Sequence, residues 1–330
     1  MSSATAGVGK PGGVPVAPAV YGANSTAKRL HYLLALTVVV TPTVGTIAAL
    51  AMWLGQGVGF GWTELVLLVV FYIITSVGIG VGYHRHFTHR SFQAVTPVRA
   101  LLGIFGSMAA QGPMFFWVAI HRRHHQFADT AGDAHSPYVQ REKTFANRVV
   151  GFWHAHTGWL FDTEVTDWGR YIPDLIKDKA MFRVSELYFV WVALGLALPA
   201  AIGGLVHGTW EGAFFGFLWG GLVRMFCVHH STWCINSVCH IFGDRPFKIR
   251  DRAANNWLIA IVTSGEGWHN NHHAFPYACN HSMHWWQYDP NYWLISTLKA
   301  LGLVWDIRNA NPQEVQNKLA GIETAAPGGA

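Results

Sequence analysis

The chain holds 19 histidines, more than its 18 Asp and Glu residues together. Nine of them, with His86 as a tenth inside the first, sit in four short segments: His84-Arg-His-Phe-Thr-His89, His121-Arg-Arg-His124-His125, Asn236-Ser-Val-Cys-His240 and His269-Asn-Asn-His272-His273. On a helix, positions i, i+3 and i+4 fall within one arc of about 100°. Each HxxHH segment can therefore aim three imidazoles at one place, with two slightly divergent directions open to two metals, and Asn236 shares a face with His240. His84 and His89 are five apart and off one helical stripe, as suits a helix end leaving a membrane. Imidazole suits Zn, Cu, Fe and Ni, whereas Mg and Ca prefer oxygen. Nine positioned histidines exceed what one ion takes, so two ions are expected. A zinc pair could activate water but does no redox chemistry. In an apolar setting, whose substrates carry C–H bonds that need an oxidant, two Fe ions (Fe2+/Fe3+) with O2 as co-substrate are the economical expectation.

The other histidines lack this spacing. His31, His207, His229 and His230 read as satisfied intramembrane polar residues, His135, His154, His156, His281 and His284 as structural or supporting groups, and His86 as a bystander inside the first segment.

Such side chains need rigid elements, and the composition says what medium those elements occupy. Apolar residues make up 51% and charged residues 12%, half the roughly 25% charge of a soluble domain. The chain belongs in a bilayer. Residues 30–63 include no Asp, Glu, Lys or Arg, and Gly55, Gly57, Gly59 and Gly61 break the stretch in two. With 65–83 completing the second half, each piece meets the roughly 20 residues that cross ~30 Å of hydrocarbon. A second hairpin runs over 187–205, turns at 207–212 and returns from 213 to about 229; Arg224 near its end is expected to snorkel. Residues 101–120 are also uncharged, but spanning would put the first two histidine segments on opposite faces. Gly103, Gly106, Gln111, Gly112 and Pro113 suit a helix in the interface or buried against the others.

Lys and Arg accumulate on the cytoplasmic side of membranes. Here they lie before residue 30, between 84 and 186 and after 240, while neither hairpin turn holds any. Both termini and the histidine segments are therefore expected in the cytoplasm, and this topology accounts for the net charge of +5 without a nucleic-acid partner. Residues 1–28 read as a disordered tail, 29–310 as a single membrane unit and 311–330 as a C-terminal tail. Cys227, Cys234, Cys239 and Cys279 form no spaced framework and read as reduced, buried thiols.

HRHFTH, HRRHH and GEGWHNNHH, with NSVCH between the last two and Phe275-Pro276 after them, resemble the membrane-bound fatty acid desaturases of the stearoyl-CoA (Δ9) type, over about residues 30–290. The resemblance implies an all-α integral membrane protein, with four transmembrane helices in two hairpins under a cytosolic helical cap that carries a histidine-rich dimetal site. It implies that two irons are held by His84, His89, His121, His124, His125, His240, His269, His272 and His273, with Asn236 acting through water. It further implies that Gln111, Trp117, Thr232 and Trp233 line the bend of an acyl tunnel and that Tyr72 and Ser76, on one face of the second span, form its floor. Independently, Trp117 lies four residues before His121, on the ligand face, and Glu266, three before His269, is placed to orient a ligand imidazole.

The reaction so implied is O2-dependent insertion of a cis double bond, at carbon 9, into a C16 to C18 chain carried as long-chain acyl-CoA or on a membrane lipid. No fused cytochrome b5 signature is present, so electrons are expected from a separate ferredoxin-, rubredoxin- or cytochrome b5-like donor with its reductase. Arg122 and Arg123 are expected to attract the anionic CoA or phospholipid headgroup. The same scaffold could serve an acyl hydroxylase, which product analysis separates. A metal-binding membrane transporter wants ionisable groups deep within the spans, whereas these segments cluster at one face. A haem-binding electron carrier needs histidines facing each other on separate spans, which His31 and His207 do not obviously provide.

Overall fold

The computed structural model describes residues 19–22, 24–138 and 144–321, which form a mostly helical protein with four helices long and apolar enough to cross a bilayer. The first, α1 (Ser25–Gln56), starts where the Asn24 side chain accepts from Ala27 N at 2.8 Å. It stops at Gly57, whose φ of 69° suits glycine. The second, α2 (Trp62–Thr88), opens with the buried Glu64 carboxylate accepting from Gly61 N at 2.9 Å. The same carboxylate meets His207 Nε2 at 3.0 Å, which ties the turns of the two hairpins together at the end away from the histidine segments.

The uncharged stretch 101–120 does not span. It divides into α3 (Thr96–Met108) and α4 (Met114–Phe127), and in the break between them Ala110 and Gly112 take positive φ of 58° and 101°. The cap helix α5 (Phe145–His156) packs beside the fourth span. The second hairpin comprises α6 (Tyr188–His207) and α7 (Trp210–Ile241). Both α2 and α7 outrun the apolar stretches read as ending near 83 and 229, because the helix continues without interruption to carry the first and third histidine segments out of the membrane.

Lipid supplies no hydrophobic force between helices, so the spans associate through close packing of small residues. Gly203 of α6 faces the Gly212 backbone, Gly216 of α7 faces the Pro199 backbone, and Gly45 of α1 lies against Leu222, each too close for a Cβ without displacement. Arg224 does not snorkel as expected. It is fully buried and donates to Gly220 O (3.1 Å), Met108 O (2.7 Å) and Gly195 O (2.8 Å). The break after Met108 frees its carbonyl at the negative end of α3 for the buried cation, and carbonyls of α6 and α7 supply the other two partners.

Of the expected tails, residues 1–18, 23 and 322–330 lie outside the described residues. Val20–Gly22 pairs antiparallel with Glu164–Thr166, α1 begins at Ser25 inside the stretch read as tail, and Pro312–Leu319 is helical with Val315 buried.

Candidate active site

The nine histidines converge into two sets. His84, His89, His121, His125 and His272 form one, His124, His240, His269 and His273 the other, and within each set the ligand atoms lie within 4.8 Å of one another. Neighbouring Nε2 atoms stand 3.0 Å apart for His84 and His272, 2.9 Å for His125 and His272, 3.1 Å for His121 and His125, and 3.1 Å for His240 and His269. An imidazole–zinc bond is roughly 2.0–2.1 Å, so two nitrogens at right angles on an ion of that kind stand about 3.0 Å apart. The ring spacing fits a shared metal in each set.

Each element delivers its ligands for a local reason. Judged at 3.6 residues per turn, His84 and His89 fall off one stripe, but α2 widens over Gly78–Thr88 into a π-helix. His89 N bonds His84 O at 3.2 Å, five residues back. The wider turn brings the fifth residue over the first, and the two rings come to 4.9 Å. The HxxHH segments split as their divergent directions suggest: α4 sends His121 and His125 to one set and His124 to the other. The helix α8 (His269–Ala274) sends His272 to the first set and His269 and His273 to the second. At six residues α8 is too short to be stable alone. Its two buried asparagines anchor it: Asn270 accepts from Phe247 N and donates to Ala253 O, while Asn271 donates to His281 O and Gln287 Oε1.

Four carboxylates hold the far side of four rings. His84 Nδ1 lies 2.5 Å from Glu266, His124 Nδ1 2.9 Å from Asp133, His240 Nδ1 3.0 Å from Asp129 and His273 Nδ1 3.1 Å from Asp251. Accepting a hydrogen bond from Nδ1–H leaves Nε2 free for a metal and fixes the ring's orientation. Glu266 contacts the His84 ring and not that of the neighbouring His269. Arg85, buried between Glu266 and Asp289 at 2.8 Å from each, fixes Glu266 in turn. Asp129, Asp133 and Asp251 were not singled out by sequence reasoning; the only signal was acidic residues close to histidine segments in a chain poor in charge. Burial, then mutual repulsion of the crowded rings, holds His121, His125, His269 and His272 well below the ordinary imidazole value, so they stand as neutral ligands. Burial opposes ionisation of Asp133 and Glu266, yet His124 beside the first and Arg85 beside the second hold both far below the usual carboxylate range.

A cavity of about 540 Å3 runs from these histidines into the membrane-spanning region. His84, His121, His269 and Asn236 stand at one end, and Pro42, Leu196 and Leu222 are among the residues towards the other. Gln111, Trp117, Thr232 and Trp233 all line it. Gln111 Nε2 donates to Thr232 Oγ1 at 2.9 Å across the break between α3 and α4, and the Trp117 ring stacks on His121 at 4.8 Å.

Residues 60–306 match the sequence profile of the fatty acid desaturase family. The chain belongs to this family. It is 43% identical over 281 residues, covering 84% of this chain and 87% of the relative, to a hex-5-enoyl-[acyl-carrier protein] acetylenase of Moorena producens. It is 38% identical to an acyl-CoA C20 Delta5-desaturase of Anemone leveillei, over 78% of each chain. It is 37% identical to an sn-1 stearoyl-lipid 9-desaturase of Synechocystis, over 78% of this chain and 76% of that one. The protein is accordingly a membrane oxidoreductase of a family that acts on fatty acyl chains and draws on an electron donor.

Tyr72 and Ser76 are not in the cavity lining; the Tyr72 hydroxyl donates to Val262 O at 2.5 Å, because that face of α2 turns towards the cap segment 257–262. Arg122 and Arg123 are not free to meet a headgroup. Arg122 donates to Asp174 and to the Phe87, Thr88 and Tyr171 carbonyls, and Arg123 to Glu164 and Gly132 O. His86 bonds Phe92 O, His207 Glu64, His229 Ala109 O, and His230 pairs with His156. His31 lines the cavity with its Nε2 unpartnered.

Proposed function

We propose that this desaturase inserts a cis double bond, at carbon 9, into a saturated C16 to C18 acyl chain carried on CoA or on a membrane lipid. The observation that carries the reading is the placement of nine buried or half-buried histidines, parted five and four, at the end of an apolar cavity. Two irons held by those histidines, with O2 and electrons from a separate ferredoxin-, rubredoxin- or cytochrome b5-like donor, would supply the oxidising power for removing two hydrogens. Asn236, one turn before His240 on α7 and in the cavity wall, would complete the four-histidine set through water.

The chain's own residues then do three things. The Glu266, Asp129, Asp133 and Asp251 carboxylates keep the ligand rings aimed. The apolar lining excludes water from the reacting carbons, and the Gln111–Thr232 contact with the Trp117 ring shapes the bend that holds one C–H pair beside the histidines. The side-chain asymmetry of the lining, polar at the histidine end and aliphatic beyond, fixes which end of an acyl chain goes first. Carbon 9 is supported by the match of the histidine motifs to the stearoyl type and by the Synechocystis relative; the cytoplasmic placement of the site and both termini is supported by the Lys and Arg distribution. Expressing the chain in a host and locating double bonds by mass spectrometry tests the proposal. A new 9-unsaturated C16 or C18 acid, lost in His272→Ala, is expected. A hydroxylated product, or double bonds only at other positions, would overturn the reaction or the regiochemistry respectively.

A further inference from the structure

The cavity has a side as well as an end. Its wall on one flank is α1, through Leu34, Thr37 and Val38, and on the other α6, through Phe189, Val192 and Leu196, while Leu222 and Met225 of α7 lie between. Both flanking spans pack on the Phe217–Val223 stretch of α7. Wall residues of a closed tunnel would be shielded from the surroundings of the protein. Here Leu34 is 38% and Phe189 64% exposed, although both line the cavity. Residues of the cavity wall on both α1 and α6 thus belong to the outer surface as well.

The polar groups of this region point to the same substrate. Among the described residues no Lys or Arg lines the cavity, whose ionisable groups are His31, His84, His121, His135, Tyr188, His269 and Glu266. A phosphate-rich soluble carrier finds no cation within that lining, and Arg122 and Arg123 are engaged elsewhere. Lys28 and Arg29 stand instead at the exposed start of α1, about one turn beyond His31, where a span meets the headgroup layer. His31 Nε2 is buried and unpartnered just inside, placed to donate to an acceptor such as an ester carbonyl when it carries the ring proton.

We propose that the acyl chain slides sideways from the bilayer through a slot between α1 and α6 while still esterified to a membrane glycerophospholipid, whose phosphate stays near Lys28 and Arg29. The substrate is then a lipid-linked acyl chain and not one presented by a water-soluble carrier. This rests on the acyl desaturase reading above and adds the carrier and the route.

The test is photolabelling of the full-length, iron-loaded protein in nanodiscs containing a phosphatidylglycerol with a mid-chain diazirine, with diazirine-bearing stearoyl-CoA and stearoyl-acyl-carrier protein as parallel probes. The phospholipid probe is expected to label peptides of both flanks, residues 31–42 and 189–196, and the Trp117 and Thr232 peptides. Filling the slot with Thr37→Trp or, separately, Val192→Trp should cut labelling of Trp117 and Thr232 at least tenfold, and Val44→Trp, on the outer face of α1 away from the cavity, should not. Inner labelling by the phospholipid that survives both slot variants, or wild-type inner labelling by a soluble-carrier probe alone, would overturn the proposal. If both slot variants fail to fold, the wild-type comparison of the three probes decides. Labelling needs no turnover: inner phospholipid labelling without any desaturated product would sink the desaturase reading alone, and desaturated stearoyl-CoA without such labelling would sink the slot alone.

Discussion

Asp133 accepts a hydrogen bond from Nδ1 of His124 and from the backbone of Asp129 and His135 as well, so a single carboxylate aims one ligand and braces the loop behind it. Asp133→Asn keeps the volume and loses the charge. Because partners of this kind typically contribute 10- to 100-fold to metal affinity, purified Asp133→Asn is expected to bind iron roughly that much more weakly, by metal analysis after titration with a chelator. His31→Ala, whose ring touches no ligand histidine, should retain iron fully. Proton uptake gives a second expectation. Burial first, reinforced by neighbouring histidines, lowers His135 to about 3 and His156 to about 4, and burial lowers His273 to about 4 despite Asp251. Below about 6.5 the unfolded chain binds protons at these rings that the folded chain refuses. The stability present above pH 6.5 is thus lost as pH falls towards 4. The thermal midpoint of the protein in detergent should be level from pH 8 to 7 and drop steadily from 6.5 to 4; a midpoint that rose over that interval would contradict the buried, neutral assignment.

At the scale of elements, the contact between α6 and α7 depends on residues with almost no side chain. A Cβ on Gly216 would lie 2.3 Å from Pro199 O, a backbone atom that cannot step aside, whereas one on Gly55 meets nothing within 4 Å. Gly216→Ala must push the two spans apart, at a cost of roughly 1–3 kcal/mol, and is expected to lower the unfolding midpoint measurably. Gly55→Ala should leave it unchanged. The same separation would widen the cavity beside Leu196, so Gly216→Ala is also expected to change the product chain-length profile where it remains folded.

The whole molecule puts its polar chemistry at one end. Both hairpin turns meet through Glu64 and His207, and all nine histidines gather at the opposite end. Tags at Gly57 and Gly208 are therefore expected to report the same side of the membrane. Tags at residues 2 and 328 and near Lys143, a residue outside the described part of the chain, should report the cytoplasm. Accessibility labelling of intact and permeabilised cells checks both statements, and a Gly57 tag on the side of residue 328 would refute the hairpin topology.

The four spans, the non-spanning 101–120 stretch and the nine histidines were legible in the sequence because each depends on neighbours within a turn or two: apolar runs set by bilayer thickness, and HxxHH spacing set by helical periodicity. Trp117 was placed beside His121 for the same reason, and it stacks there. What tertiary structure alone decided are relations between distant segments. Glu266 serves His84, 182 residues away, and Asp129 serves His240 at a separation of 111. Neither pairing has a local signature, since a carboxylate is as compatible with solvent as with a ring. The five-and-four division of ligands, the cavity wall shared by α1 and α6, and the turning of Tyr72 towards Val262 follow from which helix faces meet. The first pair of histidines escaped for another reason. Its five-residue spacing is out of phase on an α-helix and in phase only on a π-turn, a wide turn that forms where the packing of Gly78, Gly80 and Gly82 against their neighbours leaves no room for a Cβ.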